Sequence, residues 1–208
     1  MSAPKLTPYP KWCKFCYLVD PHVPPSERLV ILNGYCADAA LMPPIIELAR
    51  VLKEKCARGL GREPLPLELF SCLMADVHDL VDYLPDPPGL EVFEPVWSVL
   101  WNGMGRTISP ITGQRKGGDD CEGLATVFVT FAKILGYNAS CVWWDQPGAS
   151  LNHVAAQVCD GGTAHTDFGS PICIPIETTI PGAIPGETPY DALRRIGPDY
   201  QSRIFGGH

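Results

Sequence analysis

Long apolar runs are missing from this 208-residue sequence: no stretch reaches the roughly eighteen uninterrupted apolar residues of a membrane span, and the N-terminus MSAPKLTPYPKWCKFC has no apolar core of the kind a secretory signal carries. Dense positive charge is missing too. Lys and Arg number 16 against 23 Asp and Glu, for a formal charge of −7, and the only tight basic cluster is Arg115-Lys116. Binding to nucleic acid rests on clustered cations that neutralise phosphates, so nucleic acid is excluded as a general partner. No internal repeat is visible, which excludes a solenoid. The nine cysteines are odd in number and lack the tight spacing of a disulfide framework; the expectation is reduced thiols, mostly small buried hydrophobes, in a protein kept in the cytoplasm without a membrane partner.

What is present is a globular composition, 46% hydrophobic and 19% charged, in a chain long enough to bury a core without metals or disulfides as staples. The 22 prolines stand out. They punctuate residues 4–25, 43–44, 64–66, 85–88 and 171–189, where they favour extended or turning connections. Residues 1–38 read as a Pro-rich N-terminal arm with one apolar run at 29–32 before the turn Asn33-Gly34, and residues 39–208 as one core domain.

Helical periodicity predicts helices over 39–58, with Pro43 and Pro44 in the first turn, and over 67–84, ended by the block Pro85-Asp86-Pro87-Pro88-Gly89. An apolar segment over 92–101 leads into a long Gly-bearing loop over 102–120 with few apolar anchors; loops of this length are commonly functional. The stretch 121–135 is apolar around most of its circumference, which marks a central buried helix. Asp119 or Asp120 is placed to cap it and Gly136 to end it. Beyond this the pattern shortens to β-rich runs over 139–144, 152–159, 163–167 and 172–178 separated by Gly and Pro turns, then a last helix over 190–196.

Cys121 opens the central helix. A thiol is nucleophilic as thiolate, and a helix N-terminus or a neighbouring imidazolium lowers its pKa. His153, in the second of the following strands, is the candidate base, and its orienting acid is either Asp167 or Glu177 on later strands. An oxyanion formed at Cys121 would meet its own backbone N–H and a donor from the preceding loop, for which Gln114, Trp101 and Asn102 are candidates, with Asp120 beside the site. Each residue also has a plain reading. Cys121 alone is a small buried hydrophobe, His153 a satisfied core histidine, Asp167 a strand end and Glu177 a solvated strand residue; together they make a constellation.

Gly118-Asp119-Asp120-Cys121-Glu122-Gly123-Leu124-Ala125, the helix exit Leu135-Gly136-Tyr137-Asn138-Ala139 and Asn152-His153-Val154 together resemble the transglutaminase-like superfamily. That family has a Gly-Asp-Cys helix start, then a His opening a strand, then an Asp on the next strand. The lead-in 84–89 (LPDPPG) followed by Pro95 and Trp97 is similar to that of small bacterial and phage members. The resemblance covers 81–187. It implies an α+β, papain-like fold in which a Cys-bearing helix packs on a small antiparallel sheet. It also implies acyl transfer at amide bonds of a protein or peptide substrate, to water or to an amine, with no cofactor. Two departures stand out: residues 106–117 are inserted ahead of the Gly-Asp-Cys, as a lid or partner-binding element, and 175–179 (PIETT) carries Glu where the family strand has Asp.

Two other readings come from the same residues. The fold could serve assembly or binding, as in a virion component of a phage, with residues 1–35 and 102–120 making the contacts. Cys13-Lys14-Phe15-Cys16 with His22 and Cys36 could bind zinc, although no second short-spaced pair follows. Trp97, Trp101, Trp143 and Trp144 read as core and cleft wall.

Overall fold

The structure is a computed structural model and describes residues 6–9, 14–20, 22–145, 152–159 and 172–196. Its organising element is α5 (Cys121–Ile134), in which every residue from Cys121 to Ala132 is buried. The Asp120 side chain accepts the Glu122 N–H at 3.2 Å and so caps the first turn. At the far end Gly136 takes φ 92°, while its N–H and that of Tyr137 close on Lys133 and Ala132 carbonyls. Both ends of the central helix are therefore written in its sequence.

Helices cover one side of α5. α1 (Pro25–Ala39) buries Leu32, Cys36 and Ala39 against it, α2 (Pro43–Leu60) buries Ile45, Ala49 and Leu52, and α3 (Pro66–Leu80) buries Leu69, Phe70, Leu73 and Val77. Each starts with proline in its first turn, where a missing N–H costs nothing. On another side lies an antiparallel sheet of β6 (Asn138–Asp145), β7 (Asn152–Cys159) and β8 (Cys173–Ile176), in that order. Val154, Ala156 and Val158 of β7 enter the same core as α5. The chain is thus mixed α and β.

Two smaller sheets position the approach to Cys121. β1 (Leu6–Pro8), β2 (Tyr17–Val19) and β4 (Val92–Phe93) form an antiparallel set. β3 (Val81–Tyr83) pairs in parallel with β5 (Gly117–Asp119), with Tyr83 opposite Asp119. The short helix α4 (Val96–Trp101) packs on β5 and α5, and α6 (Pro189–Ile196) closes the described chain.

Several expectations are corrected. The segment expected as an irregular arm contains α1, which runs straight through Asn33-Gly34; the Asn33 side chain brackets β6, accepting the Cys141 N–H at 3.0 Å and donating to its carbonyl at 3.4 Å. The predicted helix over 67–84 ends at Leu80 and its last turn becomes β3, because parallel pairing with Gly117–Asp119 outcompetes helix continuation for Val81 and Tyr83. The loop over 102–120 is folded rather than open. The Asp82 carboxylate accepts the N–H groups of Arg106 and Thr107 at 2.5 and 2.8 Å, and Lys116 stands 3.4 Å from it. The Asn102 side chain ties Met104 to Gly118.

Reduced thiols were expected throughout, yet Cys56–Cys72 links α2 to α3 and Cys159–Cys173 links β7 to β8. Tertiary packing, not local spacing, brings these partners together. Among the described residues no single helix is long and apolar enough to cross a membrane; α1 and α2 pass that test only as a pair, and they are bent by 85°. The run expected as a strand over 163–167 lies outside the described residues.

Candidate functional site

Cys121 occupies the first position of α5, where the backbone N–H has no intrahelical acceptor. β5 delivers it there, because Leu84 N–H donates to Asp119 O at 2.9 Å and locks the strand against β3 two residues earlier. The thiol is 8% exposed. It donates to Glu122 Oε2 at 3.0 Å, and the backbone N–H of Val154, the residue after His153, works to lower its pKa. Cys121 opens α5 and His153 lies near the start of β7, two elements packed against each other.

Behind the imidazole stands Glu177, one residue beyond β8. Antiparallel pairing sets the beginning of β7 beside the end of β8, with Ala156 opposite Ile176. His153 Nε2 lies 2.7 Å from Glu177 Oε2, and Glu177 Oε1 accepts the Thr179 N–H at 2.6 Å. Both carboxylate oxygens are committed, and the side chain is fully buried rather than solvated. Burial works to lower the His153 pKa, but the charge and hydrogen bond of Glu177, with Glu122 further off, hold it above the ordinary value. Asp167 lies outside the described residues. Of the two candidate acids, Glu177 is the one whose contact with the imidazole is observed.

A nest of carboxyl groups surrounds the thiol on its other side. Burial, with Glu122 and Glu91 adding repulsion, raises Asp86 to about 8; burial and Glu122 raise Glu91 to about 7 despite Arg28 at 3.0 Å. Burial also pushes Asp119 and Asp120 well above the carboxylate range. Glu122 goes the other way. Burial would raise it, but the hydrogen bonds it receives from Asp120 and Cys121 hold it below its usual value, and it is the anion of the group. The Cys121 thiol is raised well above normal by burial, then by Glu122 and Asp120. The surroundings therefore work against the thiolate expected from the helix N-terminus: the dipole and the Val154 N–H are outweighed.

Tyr83, placed by β3, was not read from the sequence as a site residue. Burial, then Cys121, Asp120 and Glu122, keep its hydroxyl protonated far into the alkaline range. The legible signal was its position just ahead of Leu84-Pro85-Asp86, inside the lead-in to the cysteine.

The remaining candidates fall elsewhere. Gln114 sits in the exposed turn of the 102–120 loop, its N–H given to Thr112 Oγ1, and is not among the groups bearing on the thiol. Trp101 ends α4, 44% exposed, and Asn102 is spent on Glu94 and Gly118. Asp120 is the helix cap.

Among the described residues the candidate zinc ligands are not brought together. Cys16 is disulfide-bonded and belongs with Val92 to a separate small cluster, His22 turns on Asp20, and Cys36 is sealed in the main core with its thiol toward Thr126 O. Cys13 lies outside the described residues. Among those described, donor atoms of Asp120, Cys121 and Glu122 lie within 4.8 Å of one another. Their mutual hydrogen bonds already satisfy them, so the trio reads as a thiol with its cap and acceptor.

The carboxyl nest has a consequence for stability. Asp86 and Glu91 keep protons in the folded state that the unfolded chain releases above about pH 4, so the folded state binds more protons and stability falls as pH rises toward 7 to 8. His153, raised as well, adds in the same direction above its unfolded pKa. The midpoint of thermal unfolding is expected to be higher at pH 5 than at pH 8. A midpoint that climbs across that interval would show these carboxyls ionised in the fold.

No family model, no curated protein and no solved structure matches this chain.

Proposed function

We propose that this chain is a cysteine-nucleophile acyl-transfer enzyme of the transglutaminase-like, papain-related type, acting on amide bonds through Cys121, His153 and Glu177. The observation that carries this is an imidazole on β7 whose Nε2 is fixed by a buried carboxylate, on a strand packed against the helix that Cys121 opens. With Nε2 turned to Glu177, Nδ1 is the nitrogen that exchanges protons. It takes the proton from Sγ as sulfur adds to the substrate carbonyl, then gives it to the departing amine. A thioester on Cys121 remains, and water or a second amine, deprotonated by the same nitrogen, releases the acyl group. The Cys121 N–H and the protonated Tyr83 hydroxyl are the donors suited to the oxyanion.

One observation favours a second reading, a fold kept for binding or assembly: Cys121 is buried, and its surroundings push the thiol pKa up. Acylation separates the two. Folded protein treated with p-nitrophenyl acetate is expected to gain a single acetyl group on the Cys121 peptide, and His153→Ala to slow this by about a hundredfold. Adding a primary amine during turnover then tells hydrolysis from transamidation by product. If Cys121 acylates only after unfolding, the binding reading takes its place.

A further inference from the structure

Glu122 is not needed to build a thiol–imidazole–carboxylate triad, yet it makes the shortest contact at the nucleophile. Its Oε2 accepts the Cys121 thiol proton at 3.0 Å, although the two residues are neighbours in sequence. The carboxylate is also held from behind. Asp120 accepts the Glu122 N–H at 3.2 Å, and Glu122 in turn raises the pKa of Glu91, which is anchored at 3.0 Å by Arg28 of α1, whose Nε donates to Val23 O at 2.9 Å and whose guanidinium lies over the Trp143 ring. A chain of contacts thus runs from α1 to the sulfur. An anion so fixed, against a thiol that it keeps from ionising, is a device for holding the nucleophile in one proton state.

We propose that Glu122 is a positioning residue that holds Cys121 as a neutral thiol at rest, and that His153 obtains the proton only when a bound substrate breaks the Sγ–H···Oε2 hydrogen bond. This rests on the acyl-transfer reading above and adds its regulation. When the hydrogen bond opens, the proton moves from Sγ to His153 Nδ1, the electron pair stays on sulfur, and the imidazolium is held by Glu177. The charge of Glu122 also favours that imidazolium, so the residue opposes early ionisation of the thiol while supporting the cation that follows. The groups that face this pair are Asp119 and Asp120 ahead of it, Tyr83 from β3, Asp86 and Glu91 from the segment between β3 and β4, Arg28 through Glu91, and His153 from β7 with Glu177 behind. Of the carboxyl groups ahead of the sulfur, Glu122 is the one held below its usual pKa, and it is the one in contact with the thiol.

The test is the pH dependence of iodoacetamide alkylation of the folded protein, read on the Cys121 peptide by mass; sulfur bonds to the methylene carbon, iodide leaves and the thiol proton goes to solvent. In wild type the inflection is expected above the ordinary thiol value of about 8.5. Glu122→Gln keeps the shape and removes the charge. It is expected to move the inflection down by about one unit or more, and so to raise the rate at pH 7.5 about tenfold. Glu122→Asp keeps the charge and is expected to stay near wild type. A Glu122→Gln protein with the wild-type inflection overturns the proposal, including one that merely reacts faster at every pH, because that reports access and not charge. Should Glu122→Gln fail to fold, the wild-type profile decides: an inflection below 8.5 overturns the proposal and one above it supports it. Failure of the acyl-transfer reading looks different, since Cys121 would then refuse p-nitrophenyl acetate in every variant while the Glu122→Gln shift persisted.

Discussion

Glu177→Gln is expected to lower kcat/KM for acyl transfer by about 10³- to 10⁴-fold with little loss of stability, the size of effect seen when the orienting carboxylate of a triad becomes an amide. The geometry explains why so small a change would matter. Glu177 spends Oε1 on the Thr179 N–H at 2.6 Å and Oε2 on His153 Nε2 at 2.7 Å. Glutamine can satisfy only one of these in the same way. If its oxygen stays with Thr179, its amide N–H points at Nε2, which must then accept, forcing the imidazole proton onto Nδ1, where the Cys121 proton has to go. If the amide flips, two N–H groups face each other at Thr179. With the carboxylate charge gone, burial is opposed only by the weaker influence of Glu122, so the His153 pKa is expected to fall. Histidine titration by NMR reads this independently of activity. A Glu177→Gln enzyme with near wild-type kcat/KM would remove Glu177 from the mechanism, and the acid would have to be sought at Asp167.

That choice between two acids marks where the sequence stopped being legible. Cys121 and His153 could be read because each lies at the start of an element whose period is plain: an apolar helix opened by a capping aspartate and a short β-run. Glu177 could not be separated from Asp167 by pattern, since the decision depends on how β7 and β8 register, and register is a tertiary property. The same holds for α1. Its apolar positions Leu32, Cys36 and Ala39 face the core, but Asn33-Gly34 in the middle carries a turn signature that helix packing overrides. β3 was hidden for a related reason. Val81-Asp82-Tyr83 continues the helical pattern of α3, and only a partner 36 positions later, first opposite Val81 at Gly117, makes it a strand. The disulfides show the limit most clearly, because Cys56 and Cys72 meet only once α2 and α3 pack.

The electrostatics around the thiol were the least legible of all. Asp86, Glu91, Asp119, Asp120 and Glu122 are scattered over three segments and look like ordinary solvated acids in the sequence. Packing removes most of their water, and mutual repulsion then makes all but Glu122 hold their protons. A helix start by itself favours the thiolate; the buried carboxyl groups around Cys121 reverse that sign.

A second large effect concerns the strand that carries Cys121 to its place. A methyl group on Gly117 would sit 1.7 Å from the Val99 carbonyl oxygen and 2.8 Å from its carbon, both backbone atoms of α4 that cannot rotate aside. To accept alanine, α4 and β5 must separate. That costs the pairing of Gly117 with Val81 and loosens the buried side chains Val96, Val99 and Leu100 that α4 contributes to the core. Gly117→Ala is accordingly expected to destabilise the fold by about 4 kcal/mol or more, at the extreme of single substitutions, read as a drop in the denaturant midpoint. Gly34→Ala is the matched control: it lies inside α1 with nothing within 4 Å of the added methyl, and is expected to stabilise by up to about 1 kcal/mol. Because β5 ends one residue before the cap Asp120, any Gly117→Ala protein that still folds should also lose acylation at Cys121, as the helix start shifts relative to His153. A Gly117→Ala protein as stable as wild type would instead mean that α4 does not press on β5, and that the approach to the nucleophile is built some other way.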